Sequence, residues 1–189
     1  MQQPMLPDHL LQIVGTYLGP GLLSTFRNLN AHHRNVLFPT LVKVLVQTTS
    51  GLTPLLQIAG VGNEAVIVEV VNLMEHAEGK ERYIAVNALP QIVHEGDAVA
   101  ITAVANRLED TNGRVRLAAV QAFARIAQKG DPHAIAEGTA RLQHEQAYVR
   151  CAALRALAQT AATGDINVLA LISARLVAES GRRPSGAAS

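Results

Sequence analysis

The sequence predicts an all-α fold: a short solenoid of stacked helical hairpins behind an N-terminal helical cap. Three observations carry this reading. Residues 97–130 and 131–164 are two copies of one thirty-four-residue unit. Each copy holds two stretches whose apolar residues recur at helical spacing. The chain is 49% hydrophobic but only 3% aromatic, with no Trp, which is the composition of a core built from Ala, Leu and Val. A fixed period of this length marks units that bury a core only against their neighbours, and such arrays bind along an extended surface.

The copies align residue by residue. Stepping by thirty-four, Arg107 falls on Arg141, Leu108 on Leu142, Val115 on Val149, Arg116 on Arg150, Ala119 on Ala153, Phe123 on Leu157 and Gly130 on Gly164. Asp131 and Asp165 follow the two glycines. Upstream, residues 63–96 keep the register through Met74, Arg82, Ala85, Leu89, Ile92 and Gly96, and a degenerate half-unit holds Leu55, Gln57, Ile58 and Gly62. Downstream, residues 165–180 supply a first half-unit with Leu169, Arg175 and Leu176, after which GRRPSGAAS breaks the pattern. The expected organisation is therefore an N-terminal segment over 1–50, repeats over 51–180 and a flexible tail over 181–189.

Within the unit starting at Asp97, Ile101, Val104, Ala105 and Leu108 make one helical stripe, and Val115, Ala119, Ala122, Phe123 and Ile126 make the next. Glu109 to Gly113 supply turn and cap residues between them. Gly130 is expected as a left-handed C′ residue, Asp131 as the following N-cap and Pro132 at N1. Ala118, Ala119, Ala122, Ala152, Ala153 and Ala156 allow close helix approach. Pro90 interrupts the helix expected over 85–93 and predicts a kink or broken turn there.

The cores VRLAAVQAFARIA and VRCAALRALAQTA resemble HEAT repeats of the short kind found in phycobilisome-lyase-type proteins, over residues 52–180. That resemblance implies a right-handed, armadillo-like superhelix. It constrains activity little, because the family spans scaffolds, adaptors, chromophore lyases and a group of metal hydroxylases.

Residues 1–50 do not fit the repeat. LPDHLLQIVGTYL followed by GLLSTFRNLNAHHRNVL is similar to an F-box, through Leu6, Pro7, Leu10, Leu11, Ile13, Tyr17 and Leu18. The resemblance implies docking to a Skp1-like adaptor of cullin-type ubiquitin ligases, with the repeats holding a substrate. His9 stands where an acid is usual, and the Trp of the third helix is absent. The other reading is that these helices only cap the solenoid's open end.

Chemistry is not nominated. His94-Glu95 and His144-Glu145 are out of register with each other, so no converging ligand set for a metal is expected. Neither a phosphate loop, a nucleophile elbow nor a paired-cysteine motif occurs, and no catalytic residue, cofactor or metal is expected. Cys151 is expected as a small packed side chain, because its counterpart Leu117 is apolar. A lone cysteine, the absence of a long apolar run and an N-terminus without a basic region point to an intracellular setting with no membrane span. The net charge of +1 gives no general pull toward nucleic acid.

The expected function is thus a protein-binding adaptor or scaffold, in its finer form an F-box-type substrate adaptor of a ubiquitin ligase, with a plain structural scaffold lacking that link, or a bilin-lyase-type protein, as the alternatives. Candidate partner-binding residues are Leu6, Pro7, Leu10 and Leu11 in the F-box-like segment, and Arg116 and Arg150 in a ladder of regularly spaced arginines. That ladder also has a structural reading, the bridging of neighbouring loops and carbonyls. Ile166 and Leu169 complete the set, on a C-terminal helix whose apolar stripe lacks a covering partner and invites self-association.

Overall fold

The repeat is punctuated by a glycine followed by an Asn or Asp, and the computed structural model shows what this pair does. It describes residues 61–76, 78–162 and 164–180. Gly62, Gly96, Gly130 and Gly164 take φ values of +84°, +83°, +76° and +84°, a conformation that side chains disfavour. The next residue caps a helix each time. Asn63 Oδ1 accepts from Val66 N at 3.3 Å, Asp97 Oδ1 from Ala100 N at 2.9 Å, Asp131 Oδ1 from His133 N at 2.8 Å and Asp165 Oδ1 from Val168 N at 3.1 Å.

Gly130 is not the C′ residue that the sequence suggested. The preceding helix ends at Ile126, Ala127 is already extended, and Gly130 sits in a turn closed by Asp131 N donating to Gln128 O at 3.1 Å. A positive φ at the third position of such a turn calls for glycine.

The described residues are helical and include no strand, so the fold is all-α. The chain forms two compact units, Met1–His94 and Glu95–Ser189. In the first, α1 (Glu64–His76) packs against α2 (Gly79–Ala88) and buries Val66, Val70, Met74, Ala85 and Leu89. Pro90 does break the helix. α2 stops at Ala88 and continues as a 3-10 turn over Leu89–Gln91, where the missing proline N–H costs nothing.

The second unit builds a two-layer solenoid of hairpins. α3 (Ala98–Asn106) and α5 (Pro132–Ala140) form one layer, and α4 (Gly113–Ile126) and α6 (Ala147–Thr160) the other. α7 (Ile166–Ser180) packs on α6. The stripe Val115, Ala119, Phe123 and Ile126 is buried, as are Val149, Ala153 and Leu157 in α6. Each first helix ends in a 3-10 turn, Arg107–Glu109 or Arg141–Gln143, so Leu108 and Leu142 reach the core from a tightened turn and not from the α-helix itself. The tighter turn gives the last carbonyls partners before the chain reverses, with Asp110 N donating to Arg107 O at 3.2 Å.

Within each unit, backbone bonds tie a turn glycine to the end of the hairpin that follows it. Gly96 N donates to Ile126 O at 2.7 Å and Gly130 N to Thr160 O at 2.9 Å, while Gly62 N makes the same bond to Ile92 O at 2.7 Å within the first unit. Lys129 Nζ adds a bond to Gln159 O beside the Gly130 link. Gly130→Ala should destabilise the chain by about 1–2 kcal/mol, because a side chain at positive φ is strained and its Cβ would lie 3.2 Å from Ala162 Cβ. Urea denaturation followed by circular dichroism measures this.

One core position departs from register. Gly138 stands where the other units carry Val70, Val104 and Ile172, and an added Cβ would meet Leu157 Cγ and Cδ2 at 2.7 Å. Leu157 has filled the space and is itself fully buried. Gly138→Ala should therefore cost about 1–3 kcal/mol by overpacking, outweighing the gain of about 1 kcal/mol in helix propensity. An unchanged or raised denaturation midpoint would refute this packing account.

Candidate protein-binding site

The arginine ladder is tied into its own loops. Arg116 Nη1 donates to Asp110 O at 2.7 Å and Thr111 O at 3.0 Å. One unit on, Arg150 Nη1 donates to His144 O at 2.9 Å and Glu145 O at 2.6 Å, the same two carbonyls in register. Each guanidinium thus pins the loop that precedes its helix. Arg150 is only 5% exposed, so this rung does not present a free cation to a partner. Arg150→Ala leaves two loop carbonyls without their charged donor and should cost about 2–3 kcal/mol. Thermal unfolding should show the loss, with Arg150→Lys intermediate, because one ammonium replaces a planar fork poorly.

Arg141, in register with Arg107 and Arg175 near the end of a first helix, is also structural. Arg141, nearly buried, donates from Nη1 to Glu137 O and to Glu137 Oε2 at 2.7 Å, and from Nη2 to Asn106 Oδ1 at 2.7 Å. Its Nε lies 2.9 Å from Glu109 Oε1. It therefore bridges two adjacent hairpins. Thr102 Oγ1 donates to Glu137 Oε1 at 3.2 Å and lies 2.9 Å from His133 Nε2, extending the polar seam between α3 and α5. His144 Nε2 lies 3.8 Å from Glu109 Oε2 at its edge. Among the described residues, no three metal-ligating side chains converge.

The opposite layer is open. α4 and α6 flank a groove of roughly 300 Å³ lined by Leu117, Val120, Tyr148, Cys151, Arg116 and Arg155, among others. Leu117 is 52% exposed and Tyr148 also faces solvent. The Arg116 guanidinium lies 4.1 Å from the centre of the Tyr148 ring, a cation–π contact that holds the ring as one wall. Cys151 is exposed in this groove and not packed as expected. The expectation failed because its counterpart Leu117 is itself outward-facing, so an apolar residue at this register does not mean core.

α7 offers a second apolar surface. Val168 is buried and Ile172 packs partly against Leu142, Ala153, Leu154 and Leu157. Ile166 and Leu169 remain 77% and 53% exposed, and Leu171 and Val177 are also exposed. The structure thus splits the C-terminal stripe: part packs back, and the two nominated residues stay outside. Leu6, Pro7, Leu10 and Leu11 lie outside the described residues.

Comparison with known families agrees with this geometry. The family model for HEAT repeats matches residues 101–183, from within α3 to just past α7. No curated protein matches the chain. Over that stretch, less than half of the chain, the sequence is similar to HEAT repeats, and with the all-helical hairpins this is the class of a short helical solenoid, a type that commonly mediates protein–protein interaction. No helix among the described residues is long and apolar enough to cross a membrane.

Proposed function

We propose that this chain is a protein-binding scaffold or adaptor that holds partner segments on the outward face of its second helices. The observation carrying this reading is the groove between α4 and α6. Apolar, aromatic and cationic side chains stand open there, while the cations Arg141 and Arg150 are consumed by internal bonds. Complementarity along stacked helices is the mechanism, and the protein contributes no chemical step.

A finer form of the reading assigns residues 1–50 to docking a Skp1-like adaptor in an intracellular ubiquitin ligase, with the repeats over 51–180 holding the substrate. Its support is the F-box-like pattern at Leu6, Pro7, Leu10 and Leu11. The exposed Ile166 and Leu169 support self-association through α7, since contiguous open apolar surface on a helix is costly to leave wet.

A tagged full-length chain should recover a Skp1-like adaptor from cell extract and lose it on Leu10→Ala/Leu11→Ala, with helicity unchanged by circular dichroism. Recovery that is absent, or indifferent to that change, removes the ligase link and leaves a plain scaffold. Separately, sedimentation velocity should show a concentration-dependent oligomer that Ile166→Ser/Leu169→Ser abolishes. A strictly monomeric profile at high concentration would end the self-association reading.

A further inference from the structure

We propose that the groove between α4 and α6 takes an acidic peptide segment of a partner protein, its apolar side chain against Leu117 and Tyr148 and its carboxylates at Arg155 and the outer edge of Arg116. The proposal rests on the protein-binding reading above and names the chemistry of its ligand.

Charge is the first argument. The groove is lined by two guanidinium groups and no carboxylate. α4 and α6 together contain Arg114, Arg116, Arg125, Arg150 and Arg155 and not one Asp or Glu. Of the acids in these hairpins, Asp131 caps α5, Glu137 holds Arg141, Glu109 faces Arg141 and His144, and the exposed Glu145, in the loop before α6, does not line the groove. Arg155 is exposed and makes no hydrogen bond or ion pair among the described residues, so its charge is unspent.

The second argument is shape. Arg116 is fixed at its inner edge by two loop carbonyls and at its face by Tyr148, so the wall is organised before a ligand arrives. Leu117, Val120 and Ala152 give the groove an apolar surface, and its volume of roughly 300 Å³ suits side chains and not a folded domain. A phosphate backbone would gain nothing from that apolar surface. An acidic segment with Leu or Phe anchors satisfies both features.

The third argument excludes the chain's own ends as occupants. Residues 1–60 carry one acid, Asp8, against Arg27, Arg34 and Lys43, and residues 181–189 carry Arg182 and Arg183 with no acid. Both ends would bring positive charge to a positive groove. Neither of these two segments supplies the complementary charge.

Cys151, the chain's single cysteine, lines this groove and reports on its occupancy. The test measures the rate at which a disulfide reagent modifies Cys151 in the full chain. Probes are synthetic twelve-residue peptides of repeating Glu-Glu-Leu, Lys-Lys-Leu and Glu-Glu-Ser, and an oligothymidylate. The Glu-Glu-Leu peptide should slow modification at least fivefold, with Glu-Glu-Ser much weaker and the other two inert. Arg155→Glu should abolish the protection and Leu117→Ser should weaken apparent affinity about tenfold, both at exposed positions and with helicity checked. Protection should fade as salt rises.

Protection by Lys-Lys-Leu instead would overturn the acidic assignment while leaving a peptide-binding solenoid standing. Protection by the oligonucleotide, or protection that survives Arg155→Glu, would overturn the proposal. So would a Cys151 that is unreactive in the unliganded chain, since the groove would then already be covered.

Discussion

The backbone bond from three of the four punctuating glycines to a carbonyl thirty residues later is the constraint on which the repeat depends. It appears as Gly62 N to Ile92 O, Gly96 N to Ile126 O and Gly130 N to Thr160 O. A backbone N–H partly withdrawn from water needs a partner, and here the partner lies at or just past the end of the following second helix. The chain must also reverse at that point, which the positive φ achieves. The donor position therefore has to be glycine, and its spacing from the acceptor is set. Inserting one residue between them would pull donor from acceptor and cap from helix together. This explains why Gly62, Gly96, Gly130 and Gly164, each with its following Asn or Asp, keep strict register while the side chains between them drift.

A second economy concerns positive charge. In an array with a small core per unit, the inter-helix loops have few apolar contacts of their own, so something else must hold them. Arg116 and Arg150 do so by gripping two preceding carbonyls each, and Arg141 by joining Asn106, Glu109 and Glu137. These charge-assisted bonds are stronger than neutral ones and are sheltered from screening when buried. The arginines that look like a recognition rail in the sequence are thus largely internal fasteners. The cations left over, Arg155 above all, lie outside that fastening system.

The fold was legible because its determinants are periodic. Val115, Ala119, Phe123 and Ile126 recur at helical spacing and are buried, and Pro90 ends its helix where a proline must. The 3-10 turns at Arg107–Glu109 and Arg141–Gln143 were not legible, because Leu108 reaches the core whether the last turn is tight or regular. The groove was not legible either. Whether Cys151 is covered depends on how far α4 and α6 separate, a tertiary property that register alone does not carry. Tyr148 carries a usable signal in the sequence: it lies thirty-two residues beyond Arg116, close to one repeat, and its ring meets that guanidinium from the adjacent second helix.

Regularity also shows where the sequence is free to differ. Core positions hold their size, and where one does not, as at Gly138, a neighbour compensates: Leu157 occupies the vacated space. Loop-gripping arginines and glycine-cap pairs keep their identity because backbone geometry demands it. The outward residues of the second helices face no such demand, and they change chemistry from one unit to the next: Arg114 to Tyr148, Leu117 to Cys151, Gln121 to Arg155. Three of these six, Leu117, Tyr148 and Arg155, are the ligand-facing residues of the proposed groove, and a fourth, Cys151, lies among them. Substitution at these positions leaves the hydrogen-bonded frame intact, so recognition can be rewritten there without refolding the solenoid. The variable face of an otherwise strict repeat is where selection for a partner can act at least cost to stability.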